Sequence, residues 1–236
     1  MEKAIFITLF AAAYVVQGIT GFAGNVMAMP VGMATIGLHE TVAVLNVAGV
    51  IGCGMMAVTN LKNVNWRQLG YILAVMTPFV FVGIWLDTVL PTDILARIYG
   101  VVVLVVAIRF LVSKRQRFLG KPALFAILVV AGLIQGMFVS GGAVLAIYAV
   151  QKLTDKQEFR ATLSALWTIL NFGYGIVSVM NGYFTPDAVQ VSLVIIPILF
   201  VTTYVGNKLQ KRISQEAFLK LVYVLLVIIG IILLVG

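Results

Sequence analysis

The chain is written twice, and each copy breaks a long apolar segment at the same place. Gln17-Gly18-Ile19-Thr20-Gly21-Phe22-Ala23-Gly24-Asn25-Val26-Met27-Ala28 returns 118 positions later as Gln135-Gly136-Met137-Phe138-Val139-Ser140-Gly141-Gly142-Ala143-Val144-Leu145-Ala146. The apolar runs that hold these copies, 4–37 and 122–150, are too long for one ordinary crossing. As a straight helix the first would measure roughly 50 Å, against a hydrocarbon core of about 30 Å. A break inside lipid strips backbone N–H and C=O groups of water, so it survives only beside protein or a polar cavity. Matching breaks in two halves point to the binding site of a secondary transporter.

Six further apolar runs, 41–60, 68–87, 94–112, 161–180, 188–207 and 217–235, each have the length of one spanning helix. With 62% hydrophobic and 10% charged residues, the chain reads as an all-α polytopic membrane protein without a sizeable soluble domain. The first repeat covers 1–112, a basic linker 113–121, and the second repeat 122–236. The later helices align best at a shift of 123, which pairs Gly83 with Gly206. The N-terminal run resembles a secretory signal, but its recurrence at 122–134 marks it as mature structure.

Composition also removes whole classes of function. The net charge of +8 fits basic loops on one membrane face better than nucleic-acid binding. One cysteine, Cys53, and one histidine, His39, lie far apart, which leaves no metal site and no disulfide within the chain. Cys53 reads as a packing residue, and His39 as an exposed neighbour of Glu40. There is no phosphate-binding loop, no G-x-S-x-G and no H-E-x-x-H, so neither an enzyme nor a cofactor is expected. Proton coupling finds little support, because Glu40, Asp87 and Glu158 sit near helix ends.

Charge decides how the long runs fold. If each crosses once, the repeats are parallel and the sixteen Lys and Arg divide evenly between the faces. If each is a hairpin returning to its own side, each half has three full crossings and the repeats are inverted. Every basic residue except Lys3 and Arg97 then falls on one face, fourteen against two. The positive-inside rule selects this arrangement, with both termini outside.

In that geometry the tip at Thr20–Asn25 enters from outside and the tip at Phe138–Ala143 from the cytoplasm. Arms of about thirteen residues would reach near 20 Å and bring both tips to the midplane. The helices that restart there aim unpaired N–H groups at a shared space, which favours an anion, although the incoming helices present carbonyl ends to it. The expected binding residues are Gln17, Thr20, Gly24, Asn25, Gln135, Ser140, Gly141 and Gly142. Gln17 and Gln135 suit a site and a cap for the broken backbone equally. Asn46, Ser164, Thr168 and Asn171 form a second tier along one polar face of their helices. Trp167 and Tyr174 sit near that face and either shape a pocket or serve as packing or interfacial anchors, and Arg160 either meets an anion at the cytoplasmic entrance or is a solvated basic residue.

The duplicated glycine-bearing tips, Pro30 after the first, and a following Asn- or Ser-bearing helix in each half resemble the TauE/SafE family of sulfite and sulfonate transporters. The resemblance covers essentially the whole chain. It implies a bacterial inner-membrane carrier of a small sulfur-containing anion, commonly an exporter, working by alternating access. An anion channel and a non-transporting membrane assembly factor are the rival readings. The expected partners are a small anionic substrate and the lipid bilayer, with a homodimer left open.

Overall fold

Each glycine-bearing break separates two helices that fold back on one another. The computed structural model describes residues 2–91, 94–95, 97–98, 101, 105, 119–214, 216–217, 220 and 224. The helices expected over 94–112 and 217–235, and most of the 113–121 linker, fall outside these. Every described element is helical. In the first half α1 (Glu2–Thr20) is followed by α2 (Ala23–Thr35) and α3 (Leu38–Ala48). A π-helical turn (Gly49–Cys53), α4 (Gly54–Thr59) and α5 (Trp66–Val89) follow. In the second half come α6 (Lys121–Phe138), α7 (Gly142–Lys152), α8 (Lys156–Met180) and α9 (Pro186–Arg212). Six of the described helical stretches are long and apolar enough to cross a membrane, so this is a multi-pass membrane protein.

Contacts at the two ends of the bundle show how the long runs travel. At one end Lys3 Nζ pairs with Asp187 Oδ1 at 2.9 Å, and the His39 ring stacks on Tyr183 with centroids 4.4 Å apart. Tyr183 Oη donates to Asp87 Oδ2 at 2.6 Å at the same end. At the other end Asn65 Nδ2 donates to Glu158 Oε1 at 2.6 Å, and the Leu119 N–H to Gln151 Oε1 at 2.9 Å. The start of α1 and the end of α2 therefore share one end, and the start of α6 and the end of α7 share the other. The incoming arms, at 19 and 18 residues, are longer than the thirteen expected, whereas the returning arms have 13 and 11. They gain length by starting at Glu2 and Lys121, in the polar flanks.

The halves exchange partners. α5 packs along α6, and α9 along α1. Both crossings are glycine on glycine. A Cβ on Gly206 would lie 2.5 Å from Gly18 Cα, and one on Gly83 would lie 2.3 Å from the Leu133 carbonyl and 3.0 Å from Gly136 Cα. Gly18 and Gly136 are repeat equivalents, as are Gly83 and Gly206, so one close contact is built twice. Without a hydrophobic drive between helices in lipid, such approach of backbones supplies the packing. The outer faces of α5 and α9 stay apolar, with Phe81, Trp85, Phe200 and Tyr204 exposed.

One piece of the duplication is not kept. Over Gly49–Cys53 the first half makes a π turn, where the second half continues as regular α8. The turn lies against α8, and a Cβ on Gly49 would fall 1.9 Å from Asn171 Nδ2. Only glycine lets Asn171 approach there.

Candidate functional site between the two tips

The backbone at each tip turns through the left-handed region. In the first it does so at Gly21, whose φ is +84°. In the second it does so at Val139, with φ +52°, the one non-glycine residue among those described to adopt it. For a β-branched residue this is a strained conformation, of the kind that survives where surrounding contacts over-determine it. The contact is visible: Asn25 Nδ2 donates to the Val139 carbonyl at 2.8 Å, tying one tip to the other. Tyr14 Oη donates in turn to Asn25 Oδ1. Gly142 lies against Phe22, where a Cβ would come 2.8 Å from the carbonyl oxygen.

The glutamines work as a matched pair, at once cap and lining. Gln17 Oε1 accepts from the Gly24 N–H at 2.6 Å, and Gln135 Oε1 from the Gly141 N–H at 3.0 Å. Each oxygen satisfies an orphan amide where a helix restarts. The amide nitrogens point the other way: Gln17 Nε2 donates to Cys53 Sγ at 3.1 Å, and Gln135 Nε2 to Asn171 Oδ1 at 2.8 Å. Cys53 and Asn171 are themselves equivalent, 36 residues after their glutamines.

These side chains enclose a cavity with Phe22, Asn25, Val139, Ser140, Gly142 and Trp167. Its free volume is ≈10 Å³, space for about one water. No acidic or basic side chain lines it. The Trp167 indole N–H is buried without a hydrogen-bond partner. A donor left unpaired in such a place is a ready ligand for an acceptor-rich guest.

Of the expected residues, Gln17, Asn25, Gln135, Ser140, Gly142 and Asn171 line this cavity. Thr20, Gly24 and Gly141 shape the tips instead; the Thr20 hydroxyl accepts from the Ala23 N–H at 3.3 Å and caps α2. Asn46 lines an adjoining apolar groove together with Asn171 and Phe184. Ser164 is fully buried away from the cavity, and Thr168 bonds the Ser164 carbonyl at 2.8 Å with its side chain towards Gly54. Sequence reasoning missed Phe22, Val139 and Cys53 as lining, whereas Trp167, read as a pocket-shaping residue or an anchor, does line the cavity.

Arg160 is a correction. Expected in solvent, it is 5% exposed, because the first tip packs over it at Gly21. Its Nε donates to the Gly18 carbonyl at 2.7 Å and its Nη2 to Asn207 Oδ1. The guanidinium thus sits on the carbonyl end of α1 and offsets the negative end of that helix dipole. His39 is a second correction in part: it lies in the first turn of α3, stacked on Tyr183, and not in a loop, while its side chain stays 42% exposed.

The family model for the sulfite exporter TauE/SafE matches residues 5–233. The chain belongs to the TauE/SafE family. This TauE/SafE protein is accordingly a member of a membrane-transporter family, and the match takes in both tips and both halves. No curated protein and no solved structure matches the chain.

Proposed function

We propose that this TauE/SafE protein is a secondary transporter that exports a small sulfur-containing anion, sulfite or an organosulfonate, from the bacterial cytoplasm. The observation that carries this reading is the character of the tip cavity. Both glutamine oxygens are turned onto backbone amides, which leaves Gln17 and Gln135 one amide N–H each beyond their bonds to Cys53 and Asn171, and the unpaired Trp167 indole lines the same cavity. Donors without a carboxylate favour an oxyanion over a cation. Arg160 supports the same sign from beneath the first tip.

The cavity is too small for sulfite as it stands, so the tips must part to admit it. A sealed site between two halves fits alternating access and speaks against an open anion channel. The end contacts support inverted repeats, one hairpin opening at the His39 end and the other at the Asn65 end. Lys62, Arg67, Lys121, Lys152, Lys156 and Lys208 gather at the Asn65 end, which supports reading that end as the cytoplasmic one in an inner membrane.

The test is counterflow in proteoliposomes loaded with unlabelled sulfite or taurine. Labelled anion should accumulate transiently in wild type, and Asn25→Leu should abolish this while melting cooperatively. Flux that neither saturates nor shows counterflow would sink the carrier reading in favour of a channel.

A further inference from the structure

The His39 end holds a second polar cluster that the tip cavity does not use. Asp87, in the last turn of α5, is 4% exposed. Its Oδ2 accepts from Tyr183 Oη at 2.6 Å, while its Oδ1 is buried without a partner. His39 Nδ1 lies 4.0 Å from Oδ2 and is likewise buried and unbonded. Among the described residues His39 is the one basic side chain within ion-pair range of Asp87. From α8 the Tyr174 hydroxyl lies within electrostatic reach of Asp87 but bonds nothing. The packed α6 carries no titratable side chain after Lys121, Glu40 turns towards Gly37, and Asp187 is held by Lys3.

A buried carboxylate with one oxygen unsatisfied is costly. With the imidazole neutral and its proton on Nε2, both Nδ1 and the carboxylate are acceptors, and they face each other across a gap. The one engaged donor, Tyr183, is already committed; burial, then its bond to Asp87, raises its phenol above the ordinary tyrosine range, so it remains a donor. One added proton turns two opposed acceptors into an N–H···O ion pair shared by His39 and Asp87.

The location of the cluster gives that proton a mechanical consequence. Tyr183 precedes Phe184, which walls a groove of ≈380 Å³ reaching Asn46 and Asn171. Asn171 also lines the tip cavity, so it separates groove from site. We propose that His39, Asp87 and Tyr183 form a one-proton latch: the loaded cluster clamps the 181–185 connection to α3 and α5 and closes the tip cavity towards this end, and loss of the proton releases it. The latch rests on the carrier reading, since it gates that same site, and it makes a proton the ion whose binding is coupled to opening.

Cys53 is the chain's single cysteine and lines the cavity, so wild type carries its own reporter. Its modification by a water-soluble methanethiosulfonate would be timed in proteoliposomes from about pH 5.5 to about pH 8.5, in wild type and Asp87→Asn. Taking the ratio at each pH cancels the thiol's own ionisation. Asp87→Asn should react about tenfold faster than wild type at the acid end and converge with it at the alkaline end. In unmutated protein the NMR signal of His39, the one histidine, should move over the same pH interval as the labelling rate. Labelling with a flat ratio, or two separate intervals, overturns the latch and leaves the carrier standing. No labelling from either face at any pH removes both.

Discussion

Trp167 is the residue whose chemistry is least used within the fold. Its indole N–H meets no acceptor, so Trp167→Phe removes no internal hydrogen bond. Losing one bond to a charged ligand costs about 1.5–3 kcal/mol, which is roughly a tenfold to hundredfold rise in Kd. Calorimetric titration with sulfite should show that rise at an unchanged melting temperature; unchanged affinity would make the indole a packing group. Gln135→Leu should behave oppositely. It strands the Gly141 N–H and Asn171 Oδ1, and the protein should lose about 1–3 kcal/mol, read as a lower melting temperature in detergent. At this scale the sequence was partly legible. Gln17 and Gln135 stood out because duplication placed a polar side chain beside each break. Cys53 did not, although the same 118-residue shift that pairs the glutamines also pairs it with Asn171. The burial of Arg160 was hidden, because it depends on the first tip packing against the start of α8.

At the scale of elements, the glycine crossings divide the helical glycines into two kinds. Gly83→Ala and Gly206→Ala drive a Cβ into backbone, at 2.3 and 2.5 Å, and each should cost about 1–3 kcal/mol by overpacking. Gly70 has nothing within 4 Å, so Gly70→Ala should stabilise α5 by about 0.5–1 kcal/mol. Thermal melts of the three variants give opposite signs if the crossings are as tight as described. The breaks at Gly21 and Gly141 were legible because apolar run length and glycine coincide there. The π turn was not, since Gly49–Cys53 differs from its counterpart in α8 through packing on Asn171 and through no periodicity of its own.

At the scale of the molecule, which ends of which helices meet fixes the sidedness to be tested. In a Cys53→Ala background, single cysteines at the exposed positions Lys62 and Lys152 should react with impermeant reagent from one face. One at exposed Asn181 should react from the other. Labelling of Lys62→Cys and Lys152→Cys from opposite faces would restore the parallel arrangement. Charge counting predicts an inverted layout that this labelling tests, whereas the meeting of His39, Asp87 and Tyr183 could not be foreseen from positions so far apart in the chain. The exchanged packing has one more consequence. Because α9 beds the first hairpin and α5 the second, a lone half lacks the helix that seats its own re-entrant arm. Severing the chain between the halves should yield fragments that are each degraded when made singly. Made together, they should reassemble into a transporter, as two interlocked protomers would.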